Sequence, residues 1–91
     1  MLILRAATQY RKDYKLAKRR GLDMSLLETV IQTLLDEKPL DPKHKDHPLI
    51  GNYSGFRECH ITGDWLLVYT VDKGQLILTT ARTGTHSDIF G

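Results

Sequence analysis

The chain has one cysteine, Cys59, so it can form no internal disulfide and no cysteine-based zinc cluster. That usage fits a reducing cytosol. It has no apolar run approaching about 18 residues, which predicts that nothing in it spans a membrane. The opening MLILRAATQYRKDY turns charged too soon for a secretory signal peptide. No internal repeat, low-complexity tract or linker divides the 91 residues. A second independent core would need more chain than this, so residues 1–91 read as one domain. Apolar residues at 41% and charged residues at 26% place it with ordinary globular domains and not with disordered chains.

The net charge of +2 conceals a strong asymmetry. Residues 1–22 carry seven bases (Arg5, Arg11, Lys12, Lys15, Lys18, Arg19 and Arg20) against Asp13 alone. Residues 23–64 carry eight acids against four bases, and residues 65–91 are balanced. A compact basic patch on a near-neutral protein points to a polyanion or an acidic partner, although a solvated helix face would also produce it.

Leu2, Ile3 and Leu4 are apolar enough for a short first strand. From about Ala7 to Arg20 the spacing turns helical, with Tyr10, Tyr14 and Ala17 on one face and bases elsewhere, and Gly21 ends the helix. A second helix shows the i, i+3, i+4, i+7, i+8 stripe Leu27, Val30, Ile31, Leu34 and Leu35. Ser25 and Glu28 predict its capping box, and Pro39 its end. The short connection predicts an antiparallel helix pair. After an aperiodic stretch from Pro39 to Gly55, Phe56–Ile61, Trp65–Val71 and Gln75–Ala81 read as strands separated by glycine-containing turns. The expected architecture is α+β: a short strand, two antiparallel helices, then an antiparallel β-meander.

The four histidines, His44, His47, His60 and His86, all fall in the later half. In a meander the outer two strands run the same way, which predicts that His60 and Arg82 share one sheet edge about 10 Å apart. Asp64 in the hairpin, His86 beyond Arg82 and His47 from the loop complete the grouping. Three chemistries suit it. Two histidines and a cation beside a phosphate can cleave RNA without metal. One takes the 2′-hydroxyl proton, another protonates the 5′-oxygen, and the arginine stabilises the phosphorane. His44 and His47 with His60 or Asp64 could instead ligate a transition metal. Or the edge could bind phosphate without catalysing anything. Each residue also has a plainer role. Asp64 forms turns readily, Arg82 could pair with a carboxylate such as Asp88, Trp65 could be core or could stack a base, and Cys59 suits a buried position.

The wording of the chain adds to its statistics. KDHPLIGNYSGFRECHITGDWLLVYTVD, followed by RTGTHSDIFG, closely resembles the YafQ branch of the RelE-like mRNA interferase toxins of bacterial type II toxin–antitoxin systems. The first half fits by pattern, so the likeness covers essentially the whole chain. The motifs DHPL-x-G, H-x-x-x-DW and R-T-G-T-H are specific jointly and weak singly.

The resemblance implies a compact α+β toxin that enters the A site of the 70S ribosome in the cytoplasm and cuts translated mRNA, without a cofactor or metal. By position, His47, His60, Asp64 and His86 match the family's acid–base constellation. His86 is expected as general acid, with Asp64 or His60 assisting as base; His44 has no place in the set. Arg82 matches the transition-state arginine, while Trp65 and Phe90 match aromatic positions beside the site. Arg11, Lys12, Lys15, Lys18 and Arg19 would contact RNA phosphates, supplying affinity without sequence specificity. The implied partners are mRNA, a cognate antitoxin (a ribbon-helix-helix, DinJ-like protein) and, through that complex, operator DNA. The competing expectation is a non-catalytic antitoxin- or DNA-binding co-repressor module using the same basic helix.

Overall fold

A computed structural model describes residues 1–91. Strand β1 (Ile3–Ala6) leads into helices α1 (Thr8–Arg19) and α2 (Met24–Leu35). Two 3₁₀ turns, Pro42–His44 and Gly51–Tyr53, flank the two-residue strand β2 (His47–Pro48). The meander β3 (Arg57–Thr62), β4 (Trp65–Asp72) and β5 (Ile77–Gly84) follows, and helix α3 (His86–Phe90) closes the chain. The sheet order is β1-β5-β4-β3-β2, with β1 parallel to β5 and every other pair antiparallel. No helix is long and apolar enough to cross a membrane. The expected α+β architecture holds; β2, the 3₁₀ turns and α3 are additions to it.

Residues 65–69 of central strand β4 are an unbroken apolar run because both faces are covered there. Trp65, Leu67 and Tyr69 pack with Leu2, Tyr10, Ala17, Leu27, Val30 and Ile31 in the main core under α1 and α2. Leu66 and Val68 point the other way, onto Ile89 of α3, with Leu49, Tyr53, Phe56 and Ala81 around them. This second layer was absent from the sequence reading. It makes the floor of the site.

The helix ends follow local chemistry. At the end of α1, Gly21 adopts φ +79°, its N–H bonds Lys18 O, and the Leu22 N–H reaches back to Ala17 O. The N-cap of α2 is Asp23, whose carboxylate accepts the Ser25 N–H at 3.0 Å, and not Ser25 as expected. The expected capping box therefore does not form. Glu28 instead accepts from the Tyr14 hydroxyl at 3.0 Å and ties α2 to α1. Helix α2 stops at Leu35, before Pro39, because Glu37 takes φ +57° and the Lys38 N–H closes onto Thr33 O.

Candidate active site

Strand register assembles the site. His47 stands opposite Glu58, Glu58 opposite Val68 and Val68 opposite Arg82, so four neighbouring strands form one cross-strand row. The next row pairs His60 with Leu66 and Leu66 with Gly84. His60 and Arg82 therefore share the expected end of the sheet, one pair out of line. Strand β5 runs on to Gly84 instead of ending at Ala81, and a bulge leaves Ala81 without a partner on β4.

His47 faces this side because of Asp46. The Asp46 carboxylate accepts from the Tyr69 hydroxyl at 2.7 Å and the Arg57 Nε at 3.2 Å on the helix side. Alternation along the strand then sends the following side chain to the opposite face, where His47 Nε2 lies 2.9 Å from Glu58 Oε2.

The Gly63–Asp64 turn places Asp64 against the start of α3. Its Oδ1 accepts the His86 Nδ1–H at 2.5 Å and the His86 backbone N–H at 3.2 Å. Both bonds favour the ionised carboxylate, so the Asp64 pKa falls below its ordinary value, with the side-chain bond from His86 the larger cause. The His86 and His60 rings are 5.9 Å apart, and His60 Nδ1 lies 3.3 Å from Gly63 O. Phe90, one turn beyond His86, packs 6.1 Å from it and edge-on to Tyr53 at 5.2 Å. His47, His60, Asp64 and His86 are thus brought together, with Phe90 beside them.

Helix α3 holds this arrangement. Thr85 and Asp88 form a reciprocal capping box, and Asp88 also accepts from Arg20 Nη1 at 2.7 Å. That guanidinium, followed by the Thr85 N–H, drives the Asp88 pKa far below the usual carboxylate range. Gly84 is required here: at φ +152°, an added Cβ would lie 2.9 Å from Asp88 Oδ2. A cavity of about 270 Å³ between α1 and α3 is lined by Leu16, Arg20, Asp64 and Asp88. It lies between the C-terminal end of the basic helix and Asp64.

Two carried-over residues have different surroundings from those expected. Arg82 does not stand free. Its Nε lies 2.7 Å and its Nη2 3.4 Å from the Asp13 carboxylate, and Nη2 also donates to Asp88 O at 3.3 Å. The Asp13 bond raises the Arg82 pKa. Its partner is thus Asp13 and not the Asp88 carboxylate. Trp65 is corrected from base-stacking to core: it is 5% exposed, and its Nε1–H donates to Thr83 Oγ1 at 2.9 Å. Cys59 is fully buried, which pushes its thiol up to about 12. Arg11, Lys12, Lys15, Lys18 and Arg19 are all exposed, as a polyanion-binding face requires.

The alternative metal set does not converge. His44 Nδ1 bonds His60 O at 2.6 Å, His47 faces Glu58, and no group of three or more His, Cys, Asp or Glu side chains is arranged to hold a metal ion. Three partners escaped the sequence reading although each left a trace. Asp13 lies on the apolar stripe of α1, Glu58 lies two residues before His60 on one strand face, and Thr85-x-x-Asp88 is a capping-box spacing.

A family model described as the bacterial toxin of type II toxin–antitoxin systems, YafQ, matches residues 2–91. The mRNA interferase toxin YafQ of Escherichia coli (strain K12) is 44% identical over 85 residues, covering 91% of this chain and 89% of that protein. The crystal structure of YafQ from E. coli strain BL21(DE3) aligns with a TM-score of 0.93 at 35% identity over 100% of both chains. A chain of the E. coli DinJ–YafQ complex gives 0.91 at 36% identity, again over 100% of both. With sequence, fold and family model in agreement along nearly the whole chain, this protein belongs to the YafQ family of toxins of bacterial type II toxin–antitoxin systems.

Proposed function

We propose that this protein is a ribosome-dependent, metal-independent endoribonuclease that cleaves translated mRNA in the ribosomal A site and so inhibits growth. The observation that carries the reading is the His60–His86 pair, 5.9 Å apart on one exposed edge, with Asp64 on the Nδ1 of His86. Two adjacent imidazoles can reach a single phosphodiester. Asp64 occupies His86 Nδ1, which holds the ring and leaves Nε2 to face substrate. His86 is therefore the general acid for the 5′-oxygen. When His60 donates its Nδ1–H to Gly63 O, Nε2 carries the lone pair that takes the 2′-hydroxyl proton. Arg82 bonds Asp13 and Asp88 O through Nε and Nη2, which leaves Nη1 to donate to the phosphorane while Asp13 fixes the guanidinium. Phe90, 43% exposed, is the aromatic available to a base.

The basic face of α1 would supply sequence-independent contacts to RNA phosphates. The match to a chain of the DinJ–YafQ complex supports a DinJ-like, ribbon-helix-helix antitoxin as partner, with operator DNA reached through that complex. Work on ribosomes implies the cytoplasm.

The test is cleavage of a defined mRNA on purified 70S ribosomes. Wild-type protein should cut. His86→Ala should cut about 10²–10⁴-fold more slowly while staying folded. Folded wild-type protein that binds an antitoxin yet leaves ribosome-bound mRNA intact would establish the non-catalytic module instead.

A further inference from the structure

A cavity of about 470 Å³ lies where β3 ends, between α2 and the 3₁₀ turn Pro42–His44. Thr29 of α2, Lys43, His44 and Lys45 of the turn and its exit, and His60 and Thr62 of β3 are among its walls. It is distinct from the cavity between α1 and α3, although Thr62 lines both. The two cavities therefore flank the Gly63–Asp64 turn. His60 is on the wall of one; Asp64, the partner of His86, is on the wall of the other.

The turn is fixed by local chemistry. The Asp41 carboxylate accepts the Lys43 N–H at 2.9 Å, Pro42 stands at the start, and Lys45 leads the chain out at φ +48°. His44, which has no place in the acid–base set, ties the turn to the site. Its Nδ1–H donates to His60 O at 2.6 Å, because a carbonyl oxygen can only accept. Residues 23–64 carry four bases against eight acids, and Lys43 and Lys45 are two of the four. Both are exposed, and none of the protein's ion pairs uses either. The acids nearest in sequence are engaged elsewhere: Asp41 by the turn, Asp46 by Tyr69 and Arg57. Two ammonium groups thus border a polar cavity beside His60, held there by His44.

We propose that this cavity is a phosphate subsite for the mRNA, in which Lys43 and Lys45 hold the phosphodiester on the 5′ side of the nucleotide whose 2′-hydroxyl attacks. The inference rests on the nuclease reading and deepens it. In that reading His60 takes the 2′-hydroxyl proton and His86 protonates the departing 5′-oxygen. The nucleotide upstream of the break therefore lies on the His60 side, and the downstream one on the side of His86 and Phe90. RNA continuing upstream leaves past His60, and the cavity with the two lysines is on that side. Lysine suits the task, since a mobile point charge holds a phosphate without reading its base. This contact is the same before and during the reaction, so it contributes affinity and leaves the chemical step alone.

The test alters protein and RNA in turn. On 70S ribosomes carrying a synthetic mRNA, the double variant Lys43→Ala/Lys45→Ala should raise KM roughly 3- to 10-fold, as the loss of two exposed ion pairs brings, with kcat unchanged. Lys43→Arg/Lys45→Arg, which keeps both charges, should stay near wild type. A neutral methylphosphonate in place of that one upstream phosphate should raise the wild-type KM by a similar factor. It should add nothing to the alanine variant, because the same contact is already gone. An alanine variant impaired equally on both messages would put the lysines on ribosomal RNA. One that cuts normally yet binds an acidic antitoxin less tightly would put them on that protein. Either result overturns the proposal. So does wild-type protein that takes the methylphosphonate message with unchanged KM, a result that needs no variant to fold. Wild-type protein that cuts no message overturns the nuclease reading together with the subsite, whereas cutting with the same KM in every arm removes the subsite alone.

Discussion

Asp13 and Arg82, 69 residues apart in the chain, form a part-buried ion pair with Asp13 Oδ2 2.7 Å from Arg82 Nε. The same oxygen accepts the Thr83 N–H at 3.2 Å, where β1 has ended and the outer edge of β5 has no strand beside it. One carboxylate therefore orients the arginine and closes the sheet edge. Asp13→Ala should destabilise the fold by about 2–4 kcal/mol, since it takes the carboxylate from a part-buried guanidinium and leaves a buried N–H unpaired. Arg82→Ala should cost a similar amount. The double variant should cost clearly less than the two single losses together, read by urea unfolding.

Asp88 links stability to pH. Its pKa is depressed in the folded state, chiefly by Arg20, from an unfolded value of 3.8. Its contribution is therefore complete above that unfolded value and is lost as pH falls through the depressed folded one. The stability difference between wild type and Asp88→Asn should be largest near neutrality and shrink on acidification below pH 3.8, measured by denaturant unfolding across the acid range. A difference that widens toward acid would contradict the assignment.

Trp65 and Phe90 should separate into structure and function. Trp65→Phe removes the indole N–H that Thr83 Oγ1 accepts inside the core, so it should lower stability by about 1–3 kcal/mol. Cleavage per folded molecule should change little. Phe90→Ala, at a surface position beside His86, should do the reverse, reducing cleavage with a melting temperature near wild type. Comparing thermal melts with ribosomal cleavage rates tests both.

The basic face of α1 should act through affinity. Reversing Lys12 and Lys15 to glutamate should weaken ribosome binding and flatten its dependence on salt, because fewer counterions are released. The rate of cleavage once bound should stay close to wild type. Pelleting assays at several salt concentrations, read beside single-turnover cleavage, distinguish the two effects.

The apolar patterns were legible because periodicity reports which face meets the core. The stripe Leu27, Val30 and Ile31 is buried as read, and the meander strands fall within two residues of their expected starts. The capping of α2 was misread because Asp23 and Ser25 are both good caps and stand two residues apart. Helix α3 was missed since five residues are too few to show a helical period. His47, His60, Asp64 and His86 were recoverable as a group from strand direction, the hairpin and the family wording.

By itself, then, the sequence determined the two long helices, the meander strands, the α+β class and the basic first helix, which follow from local spacing and residue chemistry, and its family wording added the histidine set. Tertiary structure alone decided which charges are neutralised and by what. Asp13 is the one acid among seven bases in residues 1–22, yet folding turns it inward onto Arg82; Glu58 looks like an ordinary strand residue until β2 sets His47 across from it. Pairing of charges depends on distances across the sheet and on burial, and those exist only once the strands are in register.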